Sequence, residues 1–268
     1  MSLPEVPGDG PFVLRRDFGK VATLTMDRPA NRNALSASMI RSLREEIGAA
    51  GSDPNVHVIV LAGNGPAFSA GHDLREIQAH PQPAYRELLF SACAQLMLQI
   101  TRLRVPVIAR VGGVATAAGC QLVATCDLVV AGESARFATP GVDIGLFCTT
   151  PMVALTRAVA PKHAFEMLLT GDLVPAEEAR RIGLVNRVVP DHELDEATLR
   201  LAAQVAAKPP AVVALGKAAY WRQRDLPLAD AYSYASGVMT SNLASADAAE
   251  GIDAFLTKRT PTWSPKHP

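Results

Sequence analysis

Short apolar runs alternate with amphipathic stretches along the first two-thirds of the chain. Residues 12–18 and 21–26 read as two short strands on either side of Gly19, which predicts a pair of strands joined by a turn. After Ser36, apolar residues recur at four-residue spacing on one helix face. This spacing predicts an amphipathic helix with Ser36 as its N-cap. The apolar positions of that helix are Met39, Leu43 and Ile47.

Further along, apolar runs that suit buried strands are followed by glycine-rich loops and helices. From residue 150 onward the pattern is almost entirely helical, with one strand predicted at 184–188. The chain therefore predicts an α/β fold in which strand–strand–helix units recur and helices close the sequence. The predicted strands are 57–61, 105–111, 128–131 and an extended 136–139, the predicted loop is 63–71, and the predicted helices begin at 73 and span 85–103 and 118–125.

Composition excludes several classes of partner. Lys+Arg and Asp+Glu both number 26, and this zero net charge gives no general attraction to nucleic acid or to an anionic membrane. No stretch reaches about 18 uninterrupted apolar residues, so no membrane-spanning helix is expected. The four cysteines have spacings that suit neither a zinc site nor a disulfide framework, which predicts free thiols and no metal centre: Cys93, Cys120, Cys126 and Cys148.

Two segments, 58–77 and 107–130, each run from a strand through a glycine-containing loop into a helix. The first N–H groups of a helix have no partner inside it, and the helix dipole places partial positive charge there. Two such helix starts facing one point would hold an oxygen that gains negative charge, such as a thioester carbonyl becoming an enolate. Glycine-rich loops before helices are also common as plain turns, so the pattern alone leaves both interpretations open.

Several short sequence motifs, taken in order along the chain, resemble those of a known protein family. FSAGHDL (68–74) and AAGCQLVATCD (117–127) resemble the paired signature of the enoyl-CoA hydratase/isomerase, or crotonase, superfamily. The segments RNALS (32–36), PGVDIGL (140–146) and GLVNRVV (183–189) also fall where that family has its motifs, and the similarity covers about residues 12–259. Within the family the chain is most similar to a divergent branch, the enoyl-CoA hydratase domain-containing proteins of the third type.

The resemblance implies a spiral of ββα units over residues 1–195, followed by a helical region, 196–268, that forms trimers, which pair into hexamers in many relatives. It implies an acyl-CoA thioester as the ligand and no bound cofactor. It assigns the oxyanion hole to the backbone N–H groups of His72 and Ala118. The family has glycine at the second position, and the imidazole of His72 is either catalytic or a brace for the loop.

The resemblance also places basic residues near the CoA phosphates. Arg32 and Arg75 match such positions, although each is equally well explained as a solvated surface charge. Lys258 or Arg259 would reach the ligand of a neighbouring subunit. The full set of positions implied for CoA is Arg32, Ala34, Ala70, Asp73, Leu74, Arg75 and Lys258, with Asp73 also suited to capping its helix.

The family's catalytic carboxylates are missing. Hydration of an enoyl thioester needs a base to activate water and an acid to protonate the α-carbon. The two glutamate positions are Gln121 and Gly141 here, and a third position used for aspartate in some relatives is Thr149. Candidate substitutes are Asp143, which a strand-like segment would place on the same face as Gly141, and the thiol of Cys148.

Two functional classes therefore remain open. The first is an enzyme that relies on the oxyanion hole with few side chains, such as an unusual hydratase/isomerase, a decarboxylase or a thioesterase of acyl-CoA metabolism. The second is a non-catalytic acyl-CoA binder, and an RNA-binding role has little support because no basic stripe is evident. A cytoplasmic location is expected, or the mitochondrial matrix if a presequence has been removed.

Overall fold

The computed structural model describes residues 11–264. The chain opens with the predicted strand pair, β1 (Val13–Phe18) and β2 (Val21–Met26), which run antiparallel. Helix α1 (Ala37–Ser52) follows, and the Ser36 side chain accepts a hydrogen bond from Met39 N–H at 3.2 Å, which confirms the predicted N-cap. The apolar face of α1 is buried.

Strand–strand–helix units then recur, as predicted. The first unit is β3 (Val58–Gly63), β4 (Ala67–Ser69), α2 (Leu74–Ala79) and α3 (Pro83–Arg102). The second is β5 (Val107–Val111), β6 (Val114–Thr116) and α4 (Ala118–Thr125). The third is β7 (Leu128–Gly132), β8 (Arg136–Ala138) and α5 (Thr149–Ala158).

Each unit contributes one strand to each of two sheets. The first strands join the larger sheet, of order β1-β2-β3-β5-β7-β10, whose strands from β2 onward are parallel. The second strands form a smaller sheet, of order β4-β6-β8-β9. Between the third unit and the final helices lie α6 (Pro161–Thr170), β9 (Val174–Pro175), α7 (Ala176–Arg181) and β10 (Arg187–Val189). Helices α2 and α4 therefore begin a few residues after β4 and β6, which are neighbouring strands of the smaller sheet.

The predicted boundaries need several corrections. Residues 67–69 and 114–116 are strands rather than loops, because they pair in the smaller sheet even though each is only three residues long. The last strand is 187–189 rather than 184–188. Helix α3 begins at Pro83 instead of after it. Proline is tolerated at the first helical position because an N–H there would have no partner within the helix.

Helix α8 (Leu194–Ala206) covers the outer face of the larger sheet. It packs there in a separate apolar cluster that includes Val21, Val58 and Ile108. The predicted domain boundary at residue 195 falls inside this helix. Because α8 packs on the larger sheet, it belongs with the spiral. The helical C-terminal region therefore begins after α8.

The chain closes with three helices, α9 (Pro210–Gln223), α10 (Leu228–Leu243) and α11 (Ala246–Thr257). A partly buried ion pair joins α9 to the spiral, since Lys217 Nζ lies 2.6 Å from Asp127 Oδ2. The last two helices leave large apolar side chains exposed, among them Leu228, Tyr232, Met239, Phe255 and Leu256. Within residues 11–264, no helix combines the length and the apolar character that crossing a membrane requires.

Candidate functional site

The loops that start α2 and α4 meet at Gly71. Its φ of +90° lies in the left-handed region that favours glycine. A Cβ placed on Gly71 would lie 2.9 Å from Ala117 Cβ and 3.2 Å from Ala118 N, so this position has no room for a side chain. Standard bond lengths then keep the backbone nitrogens of His72 and Ala118 within about 7 Å of each other.

Helix α4 is pressed against β4 in the same region. A Cβ on Gly119 would lie 2.2 Å from the carbonyl oxygen of Ser69, which fixes the start of α4 against the strand that leads to Gly71. Ala117, the N-cap of α4, has φ 49° and ψ −119°, which is a strained conformation for a residue with a side chain. Such strain persists only where the surroundings hold the backbone in place. The two loops are therefore held together by close backbone packing.

A third loop, residues 32–36, braces the first. Ala70 N–H donates to Arg32 O at 3.0 Å, and Leu35 N–H donates to Gly71 O at 2.7 Å. Asn33 is fully buried with a φ of +51°, and its side-chain amide donates to the carbonyl oxygens of residues 64 and 67. The sequence interpretation missed Asn33. Its position after a proline turn was the available signal, because asparagine tolerates the left-handed conformation.

The His72 side chain braces the same loop. Its Nδ1 lies 3.2 Å from Leu35 O, and because a carbonyl only accepts, Nδ1 carries the proton and Nε2 has the lone pair. The ring meets Phe90 edge-on, with centroids 5.1 Å apart. Nε2 is buried without a partner among the described residues. Burial lowers the pKa of His72 below 6.5, against a smaller opposing effect of the hydrogen bond to Leu35.

The positions predicted for CoA divide into two groups. Ala34, Asp73 and Arg75 line one cavity of about 400 Å³ beside the start of α2. Asp73 also caps α2, accepting from the backbone N–H groups of residues 75 and 76. Arg32 and Ala70 are joined by the backbone hydrogen bond described above but do not line this cavity. Leu74 is exposed on the first turn of α2.

Lys258 lies at the other end of the chain, as the C-cap of α11, and is exposed. Its neighbour Arg259 is held by two carboxylates, with contacts of 2.6 Å to both Glu250 and Asp253. Lys258 has no such ion pair within residues 11–264. Of the two, Lys258 is therefore the one with a free charge to offer a phosphate.

Of the three positions predicted to lack the family's carboxylates, two are buried. Gln121 is on α4, 5 % exposed, and its Oε1 has no partner among the described residues. Gly141 is buried, and a Cβ there would lie 2.9 Å from both Cys148 Sγ and Leu146 O. The Cys148 thiol thus occupies part of the volume that a glutamate at 141 would need. Thr149, the third position, is exposed at the first residue of α5.

The two predicted substitutes fit a proton-transfer role poorly. The segment Pro140–Ile144 is a 3-10 helix rather than strand-like, so the expectation that Asp143 shares a face with Gly141 is wrong. Asp143 is exposed, and its carboxylate lies beside Gly171. Burial raises the pKa of the Cys148 thiol, partly offset by a hydrogen bond from Gly141 N–H, which is opposite to the change that activates a nucleophilic cysteine.

Comparison with known proteins gives consistent similarities. The family model described as enoyl-CoA hydratase/isomerase matches residues 17–266. The chain is 47 % identical over 252 residues to the enoyl-CoA hydratase domain-containing protein 3, mitochondrial, of Xenopus laevis, covering 94 % of this chain and 85 % of that one.

Two crystal structures are closely similar. That of an enoyl-CoA hydratase of Mycobacterium smegmatis has a TM-score of 0.92 and 50 % identity, covering 95 % of this chain and 99 % of that one. That of human enoyl-CoA hydratase domain-containing protein 3 has a TM-score of 0.91 and 45 % identity, covering 94 % and 100 %. The predicted fold and the predicted branch are thereby confirmed.

Proposed function

Because this chain belongs to the enoyl-CoA hydratase/isomerase family, we propose that it binds an acyl-CoA thioester with the thioester oxygen between the backbone N–H groups of His72 and Ala118. The observation that carries this proposal is the packing of Gly71 against Ala118 N, which brings the two loops to one point. Ala118 is also the first residue of α4, where backbone N–H groups are unpaired and the helix dipole favours negative charge.

Such a site would stabilise the oxygen of a thioester enolate. In well-studied enzymes, removal of one such donor lowers the rate by about a hundred- to a thousand-fold. Ala118 replaces the family's glycine and keeps the N–H, so the substitution narrows the site without removing the donor. The imidazole of His72 contributes by holding the loop through Leu35.

The nucleotide part of CoA would lie in the 400 Å³ cavity beside α2, with Arg75 at its edge and Arg32 nearby. Both guanidinium groups suit phosphate oxygens because of their planar, forked geometry. In a homotrimer, Lys258 of a neighbouring subunit would complete the site. The exposed apolar residues of α10 and α11 support such an assembly, because exposed apolar patches commonly mark interaction surfaces.

The reaction is not expected to be hydration by paired glutamates. The Gln121 amide can orient water but cannot accept a proton, and Gly141 has no side chain. The chemistry that remains is that in which substrate or water supplies the proton transfer once the oxyanion is stabilised. In an isomerisation or a decarboxylation this oxyanion is an enolate, and in a thioester hydrolysis it is the tetrahedral intermediate formed by addition of water, which collapses with loss of the CoA thiol.

A non-catalytic acyl-CoA binder is the second candidate, and the packing around Gly141 favours it. There the Cys148 sulfur and the Leu146 carbonyl close in on the position from which relatives project a glutamate. The loops that would bind the thioester are retained while the proton-transfer groups are absent. A protein that senses or sequesters acyl-CoA needs only the thioester-binding loops.

The expected compartment is the cytoplasm or the mitochondrial matrix, where acyl-CoA metabolism takes place. The four cysteines are all free and buried, which suits a reducing environment.

The test measures acyl-CoA binding and crotonyl-CoA hydration on the same preparation. We expect octanoyl-CoA to bind and crotonyl-CoA hydration to be negligible, with Gln121→Glu as a matched variant that restores one carboxylate and stays slow because the second is missing. Failure of all acyl-CoA thioesters to bind would refute the function. Rapid wild-type hydration would show that an unrecognised group replaces the glutamates.

A further inference from the structure

Ser69, the second residue of the FSAGHDL motif, ends β4 and is fully buried. Its hydroxyl is used twice: Ser69 Oγ donates to Asn33 O at 2.8 Å and accepts from the Gly71 N–H at 3.3 Å. Buried hydroxyls are almost always hydrogen-bonded, but these two partners lie on different loops. Ser69 therefore ties the loop of residues 32–36 to the peptide group that precedes Gly71.

Thr116 provides a second hydroxyl at the same peptide group. It ends β6, immediately before the loop residue Ala117, and its Oγ1 donates to Ala70 O at 3.1 Å. The C=O of Ala70 and the N–H of Gly71 belong to one planar peptide group. That group is thus held at one end by Thr116 and at the other by Ser69, from two neighbouring strands of the smaller sheet.

The next peptide group, between Gly71 and His72, contains the proposed donor. Its C=O accepts from the Leu35 N–H at 2.7 Å. The peptide bonds of the described residues are trans, so the His72 N–H points to the side opposite the Gly71 C=O, away from Leu35. Within residues 11–264 this N–H has no hydrogen-bond acceptor. Its direction is therefore set by neighbouring groups, and its hydrogen bond is left to a ligand or to solvent.

The second donor, the Ala118 N–H, is held by other bonds. Ala117 N–H donates to Ala138 O at 2.9 Å, and Ala117 O accepts from the Gln121 N–H at 3.0 Å. Neither bond uses a side chain. Removing side-chain hydroxyls from the neighbouring strands should therefore leave the Ala118 donor in place.

We propose that the Ser69 and Thr116 hydroxyls are positioning groups that aim the His72 N–H at the thioester oxygen. They do so by clamping the peptide group of residues 70–71 from both ends. The proposal rests on the proposed function, since it assumes that the thioester oxygen binds between the N–H groups of His72 and Ala118. It makes the strength of that binding depend on two side chains that act through the backbone.

The experiment removes each hydroxyl and observes the bound thioester. Ser69→Ala keeps the Cβ that packs against Gly119, and Thr116→Val keeps the β-branched shape of the strand residue. Octanoyl-CoA with a ¹³C label at the thioester carbonyl is bound to each full-length protein, and its affinity and infrared carbonyl band are recorded. We expect each variant to lose about three- to tenfold in affinity, the range for one net hydrogen bond. The band should move part of the way back to its solution value, because the Ala118 donor remains.

Two further variants separate positioning from general stability. Thr116→Ser retains the hydroxyl and should keep the wild-type affinity and band. Thr198→Val removes a buried hydroxyl that donates to Leu194 O at 2.7 Å within α8, on the outer face of the larger sheet, so it should lower stability without moving the band. Thr116 is only partly buried, so Thr116→Val decides the question if Ser69→Ala does not fold.

A carbonyl band that stays at the wild-type bound position in either Ser69→Ala or Thr116→Val would overturn the proposal, because that hydroxyl would then be structural only. Equal losses of affinity in Thr116→Ser and Thr116→Val would overturn it as well. If octanoyl-CoA does not bind the wild type, the proposed acyl-CoA function itself is wrong. If it binds with a shifted band that the variants keep, that function stands and only the clamp is wrong.

Discussion

Two regions of the candidate site differ sharply in how they are built. Where the loops before α2 and α4 meet, close contacts hold the backbone: Gly71 has no room for a Cβ, and Gly119 lies against the Ser69 carbonyl. In the segment 140–149, position 141 is a glycine, and a Cβ there would lie 2.9 Å from the Cys148 sulfur. The first region is built from backbone groups and the second depends on side chains.

The difference suggests a way to separate binding from proton transfer under the proposed function. Backbone donors survive sequence change as long as the chain path is kept, and the packing at Gly71, Gly119 and Asn33 keeps it. A carboxylate is lost with a single substitution. Under the proposed function, the chain keeps the two backbone donors for a thioester and lacks the two glutamates of ordinary hydration.

The largest expected effect comes from separating the two loops. Gly71→Ala places a Cβ 2.9 Å from Ala117 Cβ and 3.2 Å from Ala118 N, which must move the donors apart. We expect octanoyl-CoA affinity, measured by calorimetry, to fall about a hundredfold, because two hydrogen bonds to the neutral carbonyl are lost at about 1.4 kcal/mol each.

Gly19→Ala is the matched control for that variant. Gly19 also has a positive φ, +57°, but a Cβ there meets no atom within 4 Å, so the variant carries the backbone strain without the clash. Its affinity should equal the wild type. Similar losses in both variants would mean that general destabilisation, and not the meeting of the two loops, controls binding.

A smaller effect is expected in the second region. Gly141→Ala should lower the free energy of unfolding by about 1–3 kcal/mol through overpacking against Cys148 Sγ and Leu146 O. Combining it with Cys148→Ala should recover part of that loss, because the sulfur is removed and the carbonyl remains. Denaturant unfolding of both single variants and of the double variant measures the coupling. Strict additivity would show that the thiol does not fill this space.

The smallest effect concerns His72. Since burial lowers its pKa in the folded protein, the unfolded chain takes up the proton first as the pH falls through 6.5. The free energy of unfolding therefore decreases as the pH falls below about 6.5, by at most about 1.4 kcal/mol per pH unit for one group.

In His72→Asn this pH-dependent contribution disappears while an amide donor to Leu35 O is kept. Stability measured from pH 7 to pH 5 should thus fall less steeply than in the wild type. Parallel curves for the two proteins would place the ionisation of His72 in solvent rather than in a buried loop.

The fold was largely predictable because its strands and helices have strong local patterns. The Ser36 cap, the α4 span and the recurring strand–strand–helix units follow from apolar periodicity and capping residues. Strands β4 and β6 were not predictable in this way. Each has three residues beside glycines, and only pairing with distant strands makes it a strand.

The candidate site was predictable only in part. The motifs located the loops of His72 and Ala118, but their meeting depends on steric contacts between residues almost fifty positions apart. The Asp143 expectation failed because a 3-10 turn and a strand have different side-chain periods. The contact between Gly141 and Cys148 arises from tertiary packing that no local pattern records.

The most direct test of the two-donor site is the infrared spectrum of octanoyl-CoA bearing a ¹³C label at the thioester carbonyl. Hydrogen bonds from His72 and Ala118 would polarise the carbonyl, so its stretching band should move to lower wavenumber on binding to the wild type and stay near the solution value in any residual complex of Gly71→Ala. A carbonyl band that does not shift while octanoyl-CoA is bound to the wild type would contradict the account.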